Sequence, residues 1–125
     1  MAGELILIIE DNEKNMKLVR DVLQFKGYRT LEAPTAGQGI ALAAAHSPDL
    51  VLMDIQLPDM DGITALKQLQ ANPATAGLRV VAVTAFAMKE DEERIRAAGF
   101  LGYLTKPLDI KTFPDRVRQF CDGAG

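Results

Sequence analysis

Leu50-Val51-Leu52-Met53-Asp54 runs directly into Ile55-Gln56-Leu57-Pro58-Asp59-Met60-Asp61-Gly62. Four apolar residues without alternation meet a single carboxylate, and a turn-rich stretch follows at once. A short, continuously apolar run reads as a strand buried on both faces, as in a parallel sheet covered by helices. Asp54 then stands at the C-terminal edge of such a sheet, where open α/β sheets place ligands and reactive groups. Taken alone, Asp54 is better explained as a loop cap, because Asp is common in turns. The segments around it change that balance.

Leu5-Ile6-Leu7-Ile8-Ile9 repeats the pattern and also ends in acid, Glu10-Asp11-Asn12. The following residues have helical spacing: Met16, Val19 and Leu23 form one stripe, Leu18, Val22 and Phe25 continue it, and Gly27 is placed to stop it. Tyr28-Arg29-Thr30-Leu31-Glu32-Ala33 reads as a second strand, ended by Pro34. Thr35 and Gln38 predict a capping box for an Ala-rich helix that runs to about His46. Ser47-Pro48-Asp49 turns the chain into the Asp54 strand. Asp61 is placed to cap a third helix, with Ile63, Leu66 and Leu69 inward, and Asn72-Pro73 breaks it. Val80-Val81-Ala82-Val83 is the fourth strand and leads to Thr84-Ala85-Phe86. The fourth helix, about Lys89 to Ala98, is the least apolar, with Ile95 its only large aliphatic and Gly99 after it. Tyr103-Leu104-Thr105 is a short fifth strand that ends in Lys106-Pro107. Ile110, Phe113, Val117 and Phe120 give the fifth helix its inward stripe. Pro114 lacks the N–H that a helix starting at Ile110 needs there. Either the first turn is irregular, or Thr112 is the N-cap and Pro114 lies in the first turn.

Strands and helices alternate along the whole chain, which predicts an α/β fold with a parallel sheet between helical layers and right-handed crossovers. At 125 residues the chain suits one domain, residues 1–125. With 48% hydrophobic and 25% charged residues it has the composition of an ordinary globular protein. A net charge of -3 gives no electrostatic argument for nucleic acid or an anionic membrane. One cysteine, Cys121, excludes an internal disulfide. No signal peptide or membrane-length apolar run is visible, so a cytoplasmic location is the plain reading.

Strand ends carry the polar chemistry. They supply Glu10, Asp11, Asp54, Thr84 and Lys106, and a parallel sheet puts all of these on one edge. Three carboxylates crowded together repel unless a cation sits among them. Hard oxygen ligands suit Mg²⁺, with Mn²⁺ as the alternative. A carboxylate nucleophile, a divalent cation, an ammonium and a hydroxyl together suit phosphoryl transfer to an aspartate.

Ile9-Glu10-Asp11-Asn12, Met53-Asp54-Ile55-Gln56-Leu57-Pro58, Val83-Thr84-Ala85 and Leu104-Thr105-Lys106-Pro107 resemble, in this order, the motifs of the receiver domain of two-component response regulators. Each segment alone is weak; four at successive strand ends are specific. The resemblance spans about residues 5–121. It implies a doubly wound, flavodoxin-like and CheY-like sheet of order 2-1-3-4-5 with five helices. It also implies the roles. Asp54 is the expected phosphoacceptor. Asp11 binds Mg²⁺ together with Asp54 and the backbone carbonyl of Gln56, and Glu10 binds through an intervening water. Thr84 and Lys106 contact the phosphoryl oxygens. Tyr103 is the switch aromatic that turns inward when Thr84 moves. Gln56 and Phe86 flank the approach of a hydrolytic water and tune the lifetime. The Lys106-Pro107 bond is expected to be cis. Residues 10–16 and 83–89 further resemble stand-alone cell-division regulators of this family.

The function implied is a phosphorylation-activated switch and not an enzyme, apart from its part in its own phosphorylation and slow autodephosphorylation. The expected phosphodonor is a histidine kinase or histidine phosphotransfer protein. The chain ends soon after the fifth helix, so the expected output is altered binding of a downstream protein. The face for it is formed by helix four, strand five and helix five. A flavin carrier of the same fold would need a Ser, Thr and Gly-rich phosphate loop after strand one, where Glu10-Asp11-Asn12-Glu13 stands instead. A haloacid-dehalogenase-type phosphatase would carry its nucleophile on strand one, whereas here the acceptor lies on strand three. Plainer readings of single residues remain beside these. Lys106 is by type a surface lysine, His46 favours a helix C-terminus, Tyr103 is static packing, and Cys121 is a small hydrophobe.

Overall fold

A computed structural model of the chain describes residues 3–85 and 88–123. Its strands are β1 (Leu5–Ile9), β2 (Arg29–Ala33), β3 (Leu50–Asp54), β4 (Val80–Thr84) and β5 (Gly102–Thr105). Its helices are α1 (Glu13–Phe25), α2 (Ala36–His46), α3 (Gly62–Ala71), α4 (Lys89–Ala98) and α5 (Phe113–Cys121). The strands form one parallel sheet in the order β2-β1-β3-β4-β5. The expected α/β architecture, order and helix count are therefore present. Every residue of β3 and β4 is buried, which explains why neither strand alternates in the sequence.

Side-chain parity divides the core into two layers. Ile6, Ile8, Leu50, Leu52, Val81, Val83 and Leu104 pack with Val19 and Leu23 of α1 and with Phe113, Val117 and Phe120 of α5. Leu7, Ile9, Val51, Met53, Val80 and Ala82 pack with Ala43 of α2, Leu66 and Leu69 of α3 and Ile95 of α4. Ile95 is the single buried residue of α4, as its thin apolar stripe predicts. Phe120 fits over Gly102, where an added Cβ would lie 2.7 Å from its ring. The small residue lets the α5 aromatic reach the sheet.

Helix starts follow their caps. Asn12, Thr35 and Asp61 each accept from the backbone N–H three residues on. Gly99 has φ 109°, the left-handed conformation in which glycine commonly ends a helix. Thr112 is the N-cap of α5 and Pro114 lies in its first turn, the second of the two sequence readings.

Two stripe assignments need correction. Ile110 is 54% exposed and precedes α5, because the proline moves the helix start to Phe113. Phe25 is 86% exposed and Leu18 is 37% exposed. Leu18 and Phe25, seven residues apart, share the side of α1 turned away from the sheet, and the stripe of Met16, Val19 and Leu23 carries the burial.

Candidate functional site

Strand register assembles the site. Ile9 pairs with Met53, so the next residues, Glu10 and Asp54, lie side by side as β1 and β3 end. Both continue the parity of Ile8 and Leu52 and share the α1/α5 side of the sheet. Lys106, two residues past Leu104, has that parity too. Its backbone N–H donates to the Thr84 carbonyl at 2.8 Å, which fixes the turn after β5. The Lys106-Pro107 peptide is cis, as the resemblance implies.

The Lys106 ammonium donates to Asp54 Oδ2 at 2.7 Å and to Glu10 Oε1 at 2.8 Å. Both carboxylate residues are 6% exposed. Asp54 Oδ1 accepts the Gln56 N–H at 2.9 Å. Asp11 is exposed at the rim, and Glu10, Asp11 and Asp54 each bring one carboxylate oxygen within 4.8 Å of the others. This donor set fits a hard divalent cation: clustered carboxylates, one of them open to solvent.

The electrostatics follow from burial and crowding. Burial raises the Glu10 carboxyl above its ordinary pKa, the neighbouring Asp54 raises it further, and Lys106 pulls it back in part. Burial alone would lower the Lys106 ammonium; the Asp54 and Glu10 carboxylates outweigh it and raise that group overall. A cavity of about 90 Å³, lined in part by Ile8, Val19, Leu52, Val83 and Leu108, lies against these groups. It keeps the surroundings of the ion pairs apolar, which strengthens them.

Thr84 is 2% exposed at the end of β4, and its parity places it on the opposite face, that of α3 and α4. Tyr103 shares this face, opposite Ala82, and is half-buried. The Arg96 guanidinium carbon of α4 lies 5.5 Å from its ring centroid. Phe86 lies outside the described residues. His46 is exposed in the last turn of α2, and Cys121 is buried with its thiol pushed up to about 11 by burial, in keeping with the plainer readings.

Sequence reasoning missed two contacts. Arg96 over Tyr103 links the charged helix to β5, and the run of charges gave no hint which member would stack. Asp59 accepts from the Ala36 and Gly37 N–H groups at 2.9 Å each. Pro58-Asp59 reads only as a turn, and nothing local points to a partner in α2.

Fold, parity and the Lys106-linked acid cluster agree with the class that the sequence resemblance implies, a phosphorylation-controlled signalling domain. Residues 6–118 match the family described as response regulator receiver domain, and the chain belongs to that family. It is 43% identical over 119 residues to the polar-differentiation response regulator DivK of Brucella ovis, covering 95% of this chain and 97% of the relative. The DivK of Brucella anthropi is equally similar, at 43% identity over 95% of this chain and 97% of its own length. Among solved structures, the receiver domain of a sensor histidine kinase from Pseudomonas aeruginosa superposes with a TM-score of 0.87. That pair is 30% identical and covers 97% of this chain and 99% of the other, whose structure has a magnesium ion coordinated in the active-site cleft. A CheY-like receiver from Methanospirillum hungatei has a TM-score of 0.87 at 28% identity, covering 98% and 97% of the two chains. No helix among the described residues is long and apolar enough to cross a membrane.

Proposed function

We propose that Asp54 accepts a phosphoryl group from a phosphohistidine of a kinase or phosphotransfer protein, in a reaction that needs Mg²⁺. The observation that carries this reading is the position of Lys106, with its ammonium between Asp54 and Glu10 beside the third acid. An Asp54 carboxylate oxygen attacks phosphorus. The N–P bond to the donor imidazole breaks, the electron pair leaves with that nitrogen, and an acyl phosphate O–P bond forms. Asp11, Asp54 and the Gln56 carbonyl are the residues proposed to hold the cation, with Glu10 behind them through a water. The cation supplies charge neutralisation for the transferring phosphoryl oxygens. The Lys106 ammonium serves the same charge from a fixed direction, because β5 and the Thr84 carbonyl hold its backbone. The magnesium site of the Pseudomonas receiver supports this assignment by similarity.

The test is incubation with acetyl phosphate and intact-mass measurement. One phosphoryl adduct should form with Mg²⁺ and be absent with EDTA; an adduct formed equally in EDTA refutes the metal-dependent reaction. Ligand roles are separable by titration. Asp11→Ala should weaken Mg²⁺ binding more than Glu10→Ala, because Asp11 is the direct ligand in this reading, and the opposite order overturns the assignment.

The output is a change in protein binding at the face of α4, β5 and α5. Thr84 and Tyr103 lie on one side of adjacent strands, so a shift of the Thr84 side chain toward the phosphoryl group opens room that Tyr103 can enter. Its ring leaves Arg96 as it turns, and α4, anchored in the core by Ile95, moves with little loss of packing. A partner reads this only by differential affinity, typically about 5–150-fold. In wild type, beryllofluoride should change amide exchange across residues 88–107, and Thr84→Ala should respond less. Equal responses in the two proteins would remove Thr84 from the coupling.

A further inference from the structure

The loop from β3 to α3 is held at its two ends by local bonds. Gln56 N–H donates to Asp54 Oδ1 at 2.9 Å, and Gly62 N–H donates to the Ile55 carbonyl at 2.7 Å. Gln56 and Asp61 form an isolated antiparallel bridge, and Asp61 accepts from Thr64 N–H at 2.8 Å to cap α3. These bonds close the base of the loop and leave its tip, Pro58-Asp59-Met60, to other restraints.

Asp59 supplies one that spans the fold. Its Oδ1 accepts from Ala36 N–H and its Oδ2 from Gly37 N–H, both at 2.9 Å and across 23 and 22 residues of sequence. These are the first two amides of α2, which have no partner inside the helix. The helix does not depend on Asp59 for its ordinary cap, because Thr35 Oγ1 already accepts from Gln38 N–H at 3.2 Å. A carboxylate on two aligned helix amides is a charge-assisted, two-point contact with a defined direction. The Gly37 amide, then the Ala36 amide, holds the Asp59 carboxyl below its ordinary pKa, so the contact persists through the neutral range.

We infer that Asp59 is a positioning residue for the cation site: by tying the loop tip to the N-terminus of α2, it fixes the direction in which Gln56 presents its backbone carbonyl. The inference rests on the proposed role of Gln56 as a ligand. Outer contacts that orient metal ligands commonly change affinity by about 10–100-fold. Asp59 is exposed, so the lower end of that range applies.

Magnesium affinity and amide exchange in the metal-free protein test it. Asp59→Ala should weaken Mg²⁺ binding about tenfold, and should speed exchange at residues 36–37 and 56–60. Asp59→Asn has the same charge as Asp59→Ala but retains one acceptor. It should lie between wild type and Asp59→Ala in both measurements. That ordering separates the tether from long-range attraction between Asp59 and the cation, which both variants lose equally. Equal affinities in Asp59→Ala and Asp59→Asn, or wild-type affinity in Asp59→Ala, overturn the inference. Unchanged exchange at residues 36–37 in Asp59→Ala overturns it as well. If wild type itself binds no Mg²⁺, the proposed function falls and takes the inference with it. If wild type binds and Asp11→Ala abolishes binding, a normal Asp59→Ala removes the inference alone.

Discussion

Asp54→Ala should accept no phosphoryl group from acetyl phosphate under conditions that label wild type once. Three acids stand at this edge, and their surroundings differ. Glu10 is bound to Lys106, and its carboxyl is raised by burial and by Asp54, which lowers its tendency to attack as an anion. Asp11 is exposed at the rim, and no Lys106 bond to it accompanies the two that Lys106 makes. Asp54 ends the central strand, with β1 on one side and β4 on the other, so functional groups reach it from both. Its two oxygens are held apart in role: Oδ1 takes the Gln56 amide and Oδ2 takes the Lys106 ammonium. That geometry aims the side chain before any phosphodonor arrives. The comparison to make is the intact mass of wild type, Asp54→Ala and Asp54→Asn with Mg²⁺ and acetyl phosphate. An equal adduct in Asp54→Asn defeats the assignment, unless peptide mapping places it on Glu10 or Asp11 as a bypass.

The site was legible because strand ends are legible. A run such as Leu50-Val51-Leu52-Met53 has one reading in a chain that alternates strands and helices, and the polar residue that closes it has one place to go. Glu10, Asp54, Thr84 and Lys106 all follow from that rule, and the resemblance then gave them roles. Their division between two faces was implicit in parity: Glu10 and Asp54 follow Ile8 and Leu52, whereas Thr84 follows Ala82. Without strand register, however, parity does not say which strands place those residues side by side.

Other features were hidden for identifiable reasons. Phe25 shares a side of α1 with Leu18, turned about half a helical turn away from the buried stripe of Met16, Val19 and Leu23, and apolar type alone does not separate the two sides. Ile110 fits a periodic pattern that begins before the helix does, since Pro114 sets the start. The Asp59 contact depends on where α2 lies relative to the β3–α3 loop, a tertiary relation with no local signature. Arg96 is one charge in a run of them, and only the packing of α4 against β5 selects it for Tyr103.

Lys106→Met should lower the rate of phosphorylation by acetyl phosphate about 100-fold, the scale of losing one preorganised charge-stabilising donor. The substitution keeps most of the apolar stem beside the cavity and removes the ammonium. The same change acts on stability, and its pH dependence has a definite sign. A carboxyl whose pKa is raised by folding holds its proton more tightly in the folded state. Its contribution to stability therefore falls as pH climbs from the ordinary carboxylate value through the raised one. Glu10 behaves this way in wild type, and Lys106 restrains the shift. Without the ammonium, Glu10 and Asp54 face each other with no cation between them, and Glu10 should shift further upward. The variant should then be less stable than wild type by about 2 kcal/mol near neutral pH, the order of cost for leaving a buried charged partner unsatisfied. The gap should close in acid below the ordinary carboxylate range, where both proteins carry the Glu10 proton folded and unfolded. Urea melts of metal-free wild type and variant across acid to neutral pH measure it. A gap constant with pH would show that Lys106 contributes packing alone, and an unchanged phosphorylation rate would remove it from the reaction.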